Sequence, residues 1–560
     1  AMAHLVWQLQ VKPDYEPAFF LLYRVQSATA LPLVLKDVRL PFDAAPAGIS
    51  CQAEFEAALT EANDGHWLKA AEQFGALTFR AAGCAPLWRN LGWLRAYVAQ
   101  EAGAVEALRR YASLDVPLDD AVEAEMLAQS LDPKTAEATV EQMSVVYELS
   151  DIDLVTSHLT TSDRASREST GGWQSEEADE PPPRAMFSIF DRAMPSAEEL
   201  SVDTMPEVIG AALLFGRQTD RPPRLELSCE RAHVERAKGQ VSQILGDAVG
   251  QPRVEEVAGR IPVPHGSIRG TWRVPPGTPI ARLRALTEER RRKVLFDQWP
   301  REPNPALNGR SPEQAASDRS SRVAVLALIA TWELQYGDEI DFNELRGRLG
   351  LPLAEPIDPN GPAADAQGIA GVPLVRLHRL DLTKLSDERL SAALHRTVLF
   401  RARLATLRVA TEVKSRPSMP PVDRAQAHGI LATFVDDIDH ALEHLSQARA
   451  AAKEAKVSCA GFDLEELAVR LSHGRPEGFV EMIQHINNTH RNEPGVSERL
   501  FQFLYEAGLV DEKGRPRQGP GPQPAELLVP GGSEAAAGKI WTPDSEAGEG
   551  KKSSLWVPGS

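Results

Sequence analysis

His440-Ala441-Leu442-Glu443-His444 sets two imidazoles four residues apart with a carboxylate between them. On a helix that spacing puts both rings on one face, where they can hold a zinc ion while Glu443 acts as general base to a bound water. A catalytic zinc needs a third protein ligand, and downstream the chain offers only scattered glutamates such as Glu465, Glu466 and Glu477. Asp436, Asp437 and Asp439 lie just upstream, and a solvated helix face explains the same residues. That is the preferred reading, with a metal-dependent hydrolase centred on His440, Glu443 and His444 as the alternative. His485 and His490, near Glu481, are a looser metal-binding possibility and read as surface or capped core histidines.

No other pattern assembles a catalytic set. G-x-x-x-x-G-K-[ST], G-x-S-x-G and a G-x-G-x-x-G following a strand are all missing from the chain, so a phosphate-cradling loop or a nucleophile elbow is unsupported. No catalytic residue and no cofactor is expected. The residues best suited to binding lie in the polar tail. Lys539-Ile540-Trp541-Thr542-Pro543 is echoed by Ser554-Leu555-Trp556-Val557-Pro558, fifteen residues on. A large indole in a segment with little else to pack against is a candidate linear motif. Trp541, Pro543, Trp556 and Pro558 are therefore candidate partner anchors; the alternative is that both cores dock on the protein's own helices.

Composition narrows the partners. The chain has 560 residues, 42% hydrophobic and 25% charged, with 61 Lys and Arg against 79 Asp and Glu, for a net charge of −18. That balance repels nucleic acid and anionic lipid over most of the surface. No apolar run approaches the ~18 residues of a membrane helix, and the first residues, AMAHLVWQLQ, do not read as a secretory signal. Cys51, Cys84, Cys229 and Cys459 are too scattered for a disulfide framework or a metal knuckle. A reducing cytoplasm is the expected location.

The elements that must position these residues read as a mainly α, multidomain chain. Residues 1–50 are mixed, with FFLLYRV and LPLVLKDVRLPF read as strands or as one helix and one strand. Ala-, Leu- and Glu-rich helical periodicity fills 51–162. Ser, Gly, Glu and three consecutive prolines make 163–185 a disordered acidic linker. Strand-like RLELSC and VEEVAGRIPVP flank an amphipathic helix, giving a small α/β or α+β module over 186–275. A helical module covers 276–356, a loop or linker 357–373, a second helical array 374–515 and a disordered tail 516–560. Within 276–356, Ser311, Pro312 and Gln314 are placed to start a helix with a capping box after the Asn308-Gly309 turn. Trp299 and Leu307 should pin the proline-rich link onto the flanking helices.

Three local resemblances follow from these residues. Ala70-x-x-x-Phe74 recurs as Ala104-x-x-x-Leu108 at an offset of 34, after Trp88 and Leu91-Gly92. Residues 51–118 thus resemble tetratricopeptide repeats, which implies stacked helix pairs and a surface for peptides. Trp299 to Ala315 resembles a segment of the toxin-binding domains of ParS/MbcA-type antitoxins, which implies an antitoxin-like regulatory role as a further alternative. The H-x-x-E-H run resembles the zinc motif of inverted zinc peptidases. The leading expectation is a non-enzymatic scaffold binding a protein or peptide partner, with no nucleic acid, no membrane insertion and the oligomeric state open.

Overall fold

The computed structural model describes residues 2–136, 139–168, 182–217, 221–262, 271–318, 320–361, 368–435, 437–473, 477–511 and 513–515. Two compact units emerge. One holds residues 1–357, 372–379 and 399–404; the other holds 358–371, 380–398 and 405–560. Mainly helical architecture with one antiparallel sheet agrees with the expected fold class. Among the described residues no helix is long and apolar enough to cross a membrane.

The first unit opens with helices α1 (Met2–Val11), α2 (Glu16–Gln26) and the single turn α3 (Leu33–Lys36). Of the strand and helix readings left open for FFLLYRV, the helix is the one formed. Pro17 sits in its first turn, where a missing N–H costs nothing, and the run contains a single β-branched residue, Val25. LPLVLKDVRLPF likewise contains a helical turn and no strand.

Two helical hairpins follow, α4 (Gln52–Asn63) with α5 (Trp67–Leu77) and α6 (Ala85–Tyr97) with α7 (Glu101–Ala112). Ala70, Phe74, Leu91, Ala104 and Leu108 are all fully buried. The small residues set the spacing. A Cβ on Gly92 would stand 2.8 Å from Cγ and Cδ2 of Leu108 and 3.3 Å from its backbone nitrogen. Gly92→Val should therefore lower stability by about 2 kcal/mol through overpacking. Thermal unfolding checks this; an unchanged midpoint, or an equal loss in a Leu108→Ala background, would refute the close-approach explanation.

After α8 (Leu118–Leu131) and the turn α9 (Pro133–Ala136) the chain forms a sheet. Its strands are β1 (Thr139–Glu148), β2 (Ala165–Glu168), β3 (Ala185–Phe190), β4 (Glu207–Phe215), β5 (Arg224–Glu230), β6 (Val254–Pro262) and β7 (Thr271–Trp272). Their order is β2-β3-β4-β5-β1-β6, with β7 on the start of β4 and every pairing antiparallel. Helix α10 (Ile152–Thr161) joins β1 to β2, and α11 (Val234–Leu245) joins β5 to β6. Both helices cover one face, where Val155, Leu159, Ala237 and Val241 meet Val145, Phe187, Leu214 and Leu227.

Two expected boundaries are corrected by this sheet. Residues 139–162 belong to it rather than to the 51–162 helical array. Met143, Val145 and Tyr147 are buried on alternate positions and Val145 pairs with Leu227, so the period is two. The expected disordered linker 163–185 begins as strand β2, which pairs with β3 so that Arg167 faces Phe187. Its residues 169–181 lie outside the described residues.

Helices α12 (Ile280–Lys293), α13 (Pro312–Ala316), α14 (Arg322–Tyr336) and α15 (Phe342–Arg348) complete this unit apart from short returns. Ser311 caps α13 through a reciprocal capping box with Gln314, while Asn308 and Gly309 both take positive φ. Trp299 and Leu307 are buried beside Trp332 of α14. The second unit contains α16 (Asp387–Leu399), most of α17 (Arg403–Ser415), α18 (Pro421–Ala432), α19 (Ile438–Ala455), α20 (Ala460–Ser472), α21 (Phe479–Thr489) and α22 (Val496–Glu506).

Candidate functional site

Helix α19 starts where Asp437 caps it, its carboxylate accepting the His440 backbone N–H at 2.9 Å. That start fixes how the H-x-x-E-H residues are presented, and it separates them. The His440 side chain is 73% exposed, with Nδ1 3.7 Å from Asp437. Glu443 also faces solvent and accepts from Gln447 Nε2 at 3.1 Å. His444 turns towards α18, where its Nδ1 lies 3.1 Å from Nδ1 of His428. Two imidazole nitrogens at that distance share one proton, so the two rings cannot both be cationic. Burial, with the His444 charge second, pushes His428 down to about 4, and burial likewise lowers His444. The alternative zinc set of His440, Glu443 and His444 thus gains no third ligand among the described residues. Glu466, one of the glutamates considered for that role, is held instead by Arg449 and Arg470.

A different cluster forms at α20 and α21. Asp463 lies in the first turn of α20, which follows Cys459, and Ser458 Oγ binds the Ala460 N–H at 3.1 Å. Its side chain is buried, and Oδ1 accepts from Arg449 Nε at 2.6 Å. Oδ2 is left facing two histidines from the end of α21. His490 Nε2 is 3.0 Å away and His485 Nε2 is 3.4 Å away. The three donor atoms all lie within 4.8 Å of one another. His490 is buried, whereas His485 is half-exposed and opens the cluster to solvent.

The far sides of both rings are also held. His490 Nδ1 is 2.6 Å from Glu493 Oε1, and His485 Nδ1 is 3.4 Å from Thr489 Oγ1. Glu493 in turn accepts from Ser458 Oγ at 2.5 Å. Burial would raise the Glu493 carboxyl, but Ser458 and His490 outweigh it and leave it below the usual range. The histidines were visible in the sequence as a loose possibility beside Glu481. Asp463, 22 residues ahead of His485, was missed, because no motif spacing joins it to them.

The apolar surface singled out by the structure is at the other end of the chain. Helix α2 packs on α1, and Ala18 is its single buried residue. Phe19, Phe20 and Leu21 are 58%, 50% and 47% exposed, the two phenylalanine rings meeting edge to face, and Val11 and Tyr15 earlier in the chain are exposed as well. Single exposed apolar residues are ordinary, but a contiguous group including two phenylalanines on one short helix is a mark of an interaction surface. The tail anchors expected at Trp541, Pro543, Trp556 and Pro558 lie outside the described residues. No family model matches the sequence, and neither a curated protein nor a solved structure is similar to it.

Proposed function

We propose that the protein is a non-enzymatic interaction scaffold that binds a protein or peptide partner through helical surfaces, chiefly the exposed face of α2. The supporting observation is the run Phe19-Phe20-Leu21, held in a formed helix yet left facing solvent. Burying each such side chain against a partner is worth on the order of 2 kcal/mol. The hairpins α4–α5 and α6–α7 supply the second kind of surface such a protein uses, and the Trp541 and Trp556 segments are proposed as further anchors. The net charge of −18 favours a partner with a neutral or basic rim around its apolar centre.

The test compares full-length protein with its Phe19→Ser/Phe20→Ser variant as bait in extract from the source cells. Capture of one defined partner by the parent, reduced at least about tenfold in the variant with circular dichroism unchanged, is the expected result. Equal capture by both proteins, or capture of nothing by either, would overturn the reading.

A further inference from the structure

The Asp463 cluster has a feature that hydrogen bonding within the protein explains incompletely. His490 is flanked by two carboxylates, Asp463 at Nε2 and Glu493 at Nδ1. A carboxylate only accepts. Either both ring nitrogens carry protons, or Nδ1–H donates to Glu493 while the Nε2 lone pair meets a cation. The second arrangement is the one metal-bound histidines adopt, with a carboxylate behind the ligating ring. His485 repeats it, with Thr489 Oγ1 behind Nδ1 and Nε2 turned to the same Asp463 oxygen.

We propose that Asp463 Oδ2, His485 Nε2 and His490 Nε2 bind one zinc ion, with solvent completing the coordination on the His485 side. The donor set selects the metal class. Two imidazoles and one carboxylate suit zinc, whereas calcium and magnesium require shells made mostly of oxygen. Bonds of about 2.1 Å place tetrahedral ligand atoms roughly 3.4 Å apart. The separations of 3.0 and 3.4 Å from Asp463 Oδ2 are close to that, and the half-exposed His485 ring can adjust.

Charge points the same way. Asp463 and Glu466 are held by the guanidiniums of Arg449 and Arg470 while Glu493 stands behind His490, so the three carboxylates outnumber the two guanidiniums by one. The ion ties the first turn of α20 to the end of α21, and through Glu493 to the turn that precedes α22. This assignment is independent of the scaffold reading, since α2 takes no part in it.

The experiment uses the full chain, freed of metal with a chelator, dialysed and titrated with zinc chloride against a chromophoric competitor. About one zinc per chain is expected, with a raised melting temperature. His485→Ala, at a half-exposed position that leaves the fold intact, should weaken binding by at least about a hundredfold, and Glu493→Gln by roughly ten- to a hundredfold. His440→Ala should change nothing. Cobalt(II) in place of zinc should give the visible bands of a four-coordinate ion, lost in His485→Ala. Uptake well below one ion per chain, or equal affinity in parent and His485→Ala, would overturn the assignment. So would loss of binding on His440→Ala alone.

Discussion

Replacing Arg346 with leucine should cost the first unit about 3–5 kcal/mol, because it strands a buried carboxylate. Arg346 on α15 is buried and reaches Glu333 on α14 with both arms of its guanidinium, Nη2 at 2.5 Å from Oε2 and Nη1 at 3.3 Å from Oε1. Burial acts to raise the Glu333 carboxyl. The nearby His378, with Nε2 3.8 Å from Oε2, and the hydrogen bonds and charge of Arg346 outweigh burial and hold it down to about 2. A folded-state value below the unfolded one stabilises the protein above the unfolded value, near pH 4.5, and that stability is lost as pH falls towards 2. The shift corresponds to roughly 3 kcal/mol at neutral pH. In Arg346→Leu only burial and the more distant His378 remain, so the share of the acid loss that Glu333 contributes between pH 4.5 and 2 should largely vanish while stability at pH 7 falls. Urea unfolding followed by tryptophan fluorescence reads this unit, since Trp299 and Trp332 pack in the same core as α15. Restoration of most of the loss in Arg346→Leu/Glu333→Leu would identify the stranded charge as the cause. A single-variant cost below about 1 kcal/mol, or parallel acid profiles in parent and variant, would show that the pair is not what holds α14 to α15.

What was legible in the sequence followed from range. The capping box of α13 is written in four consecutive residues, Ser311 to Gln314, and a local hydrogen-bond pattern needs nothing else. The close helix pairing was also readable, since Gly92 and Leu108 are neighbours in adjacent helices. Strand β1 was not. Its alternation of Met143, Val145 and Tyr147 is short and follows a long helical stretch, while the partners that make it a strand lie at 224–230 and 254–262. The FFLLYRV run left strand and helix both open, because a short apolar run carries no period that separates them. At the candidate metal ligands the same limit operated. The i,i+4 spacing of His440 and His444 correctly implied one helix, but His444 is claimed by His428 of α18. Asp463, His485 and His490 are brought together by the packing of α20 against α21, which no spacing rule encodes.

Arg449 joins the stability of the second unit to its proposed ion, and its replacement separates the two. Its guanidinium binds Asp463 Oδ1 at 2.6 Å and Glu466 Oε2 at 2.5 Å, both on buried side chains. Burial acts to lower its pKa, but the bonds and charges of Glu466 and Asp463 outweigh it and raise the value further, so the arginine is charged throughout. Arg449→Leu should therefore destabilise the metal-free protein by about 3 kcal/mol, leaving carboxylates whose remaining partners are Arg470 and the histidines. The same substitution removes a positive charge beside Asp463, so zinc should bind the variant more tightly than the parent. At a zinc concentration 100-fold above Kd, mass action returns roughly 2.7 kcal/mol to any folded state that binds it. The gap in melting temperature between parent and Arg449→Leu should accordingly narrow as zinc is added. In His485→Ala and His485→Ala/Arg449→Leu, compared in the same way, the gap should stay constant. A gap that zinc leaves untouched in every background would confine Arg449 to holding α19 on α20 and would remove the ion from the account of this unit.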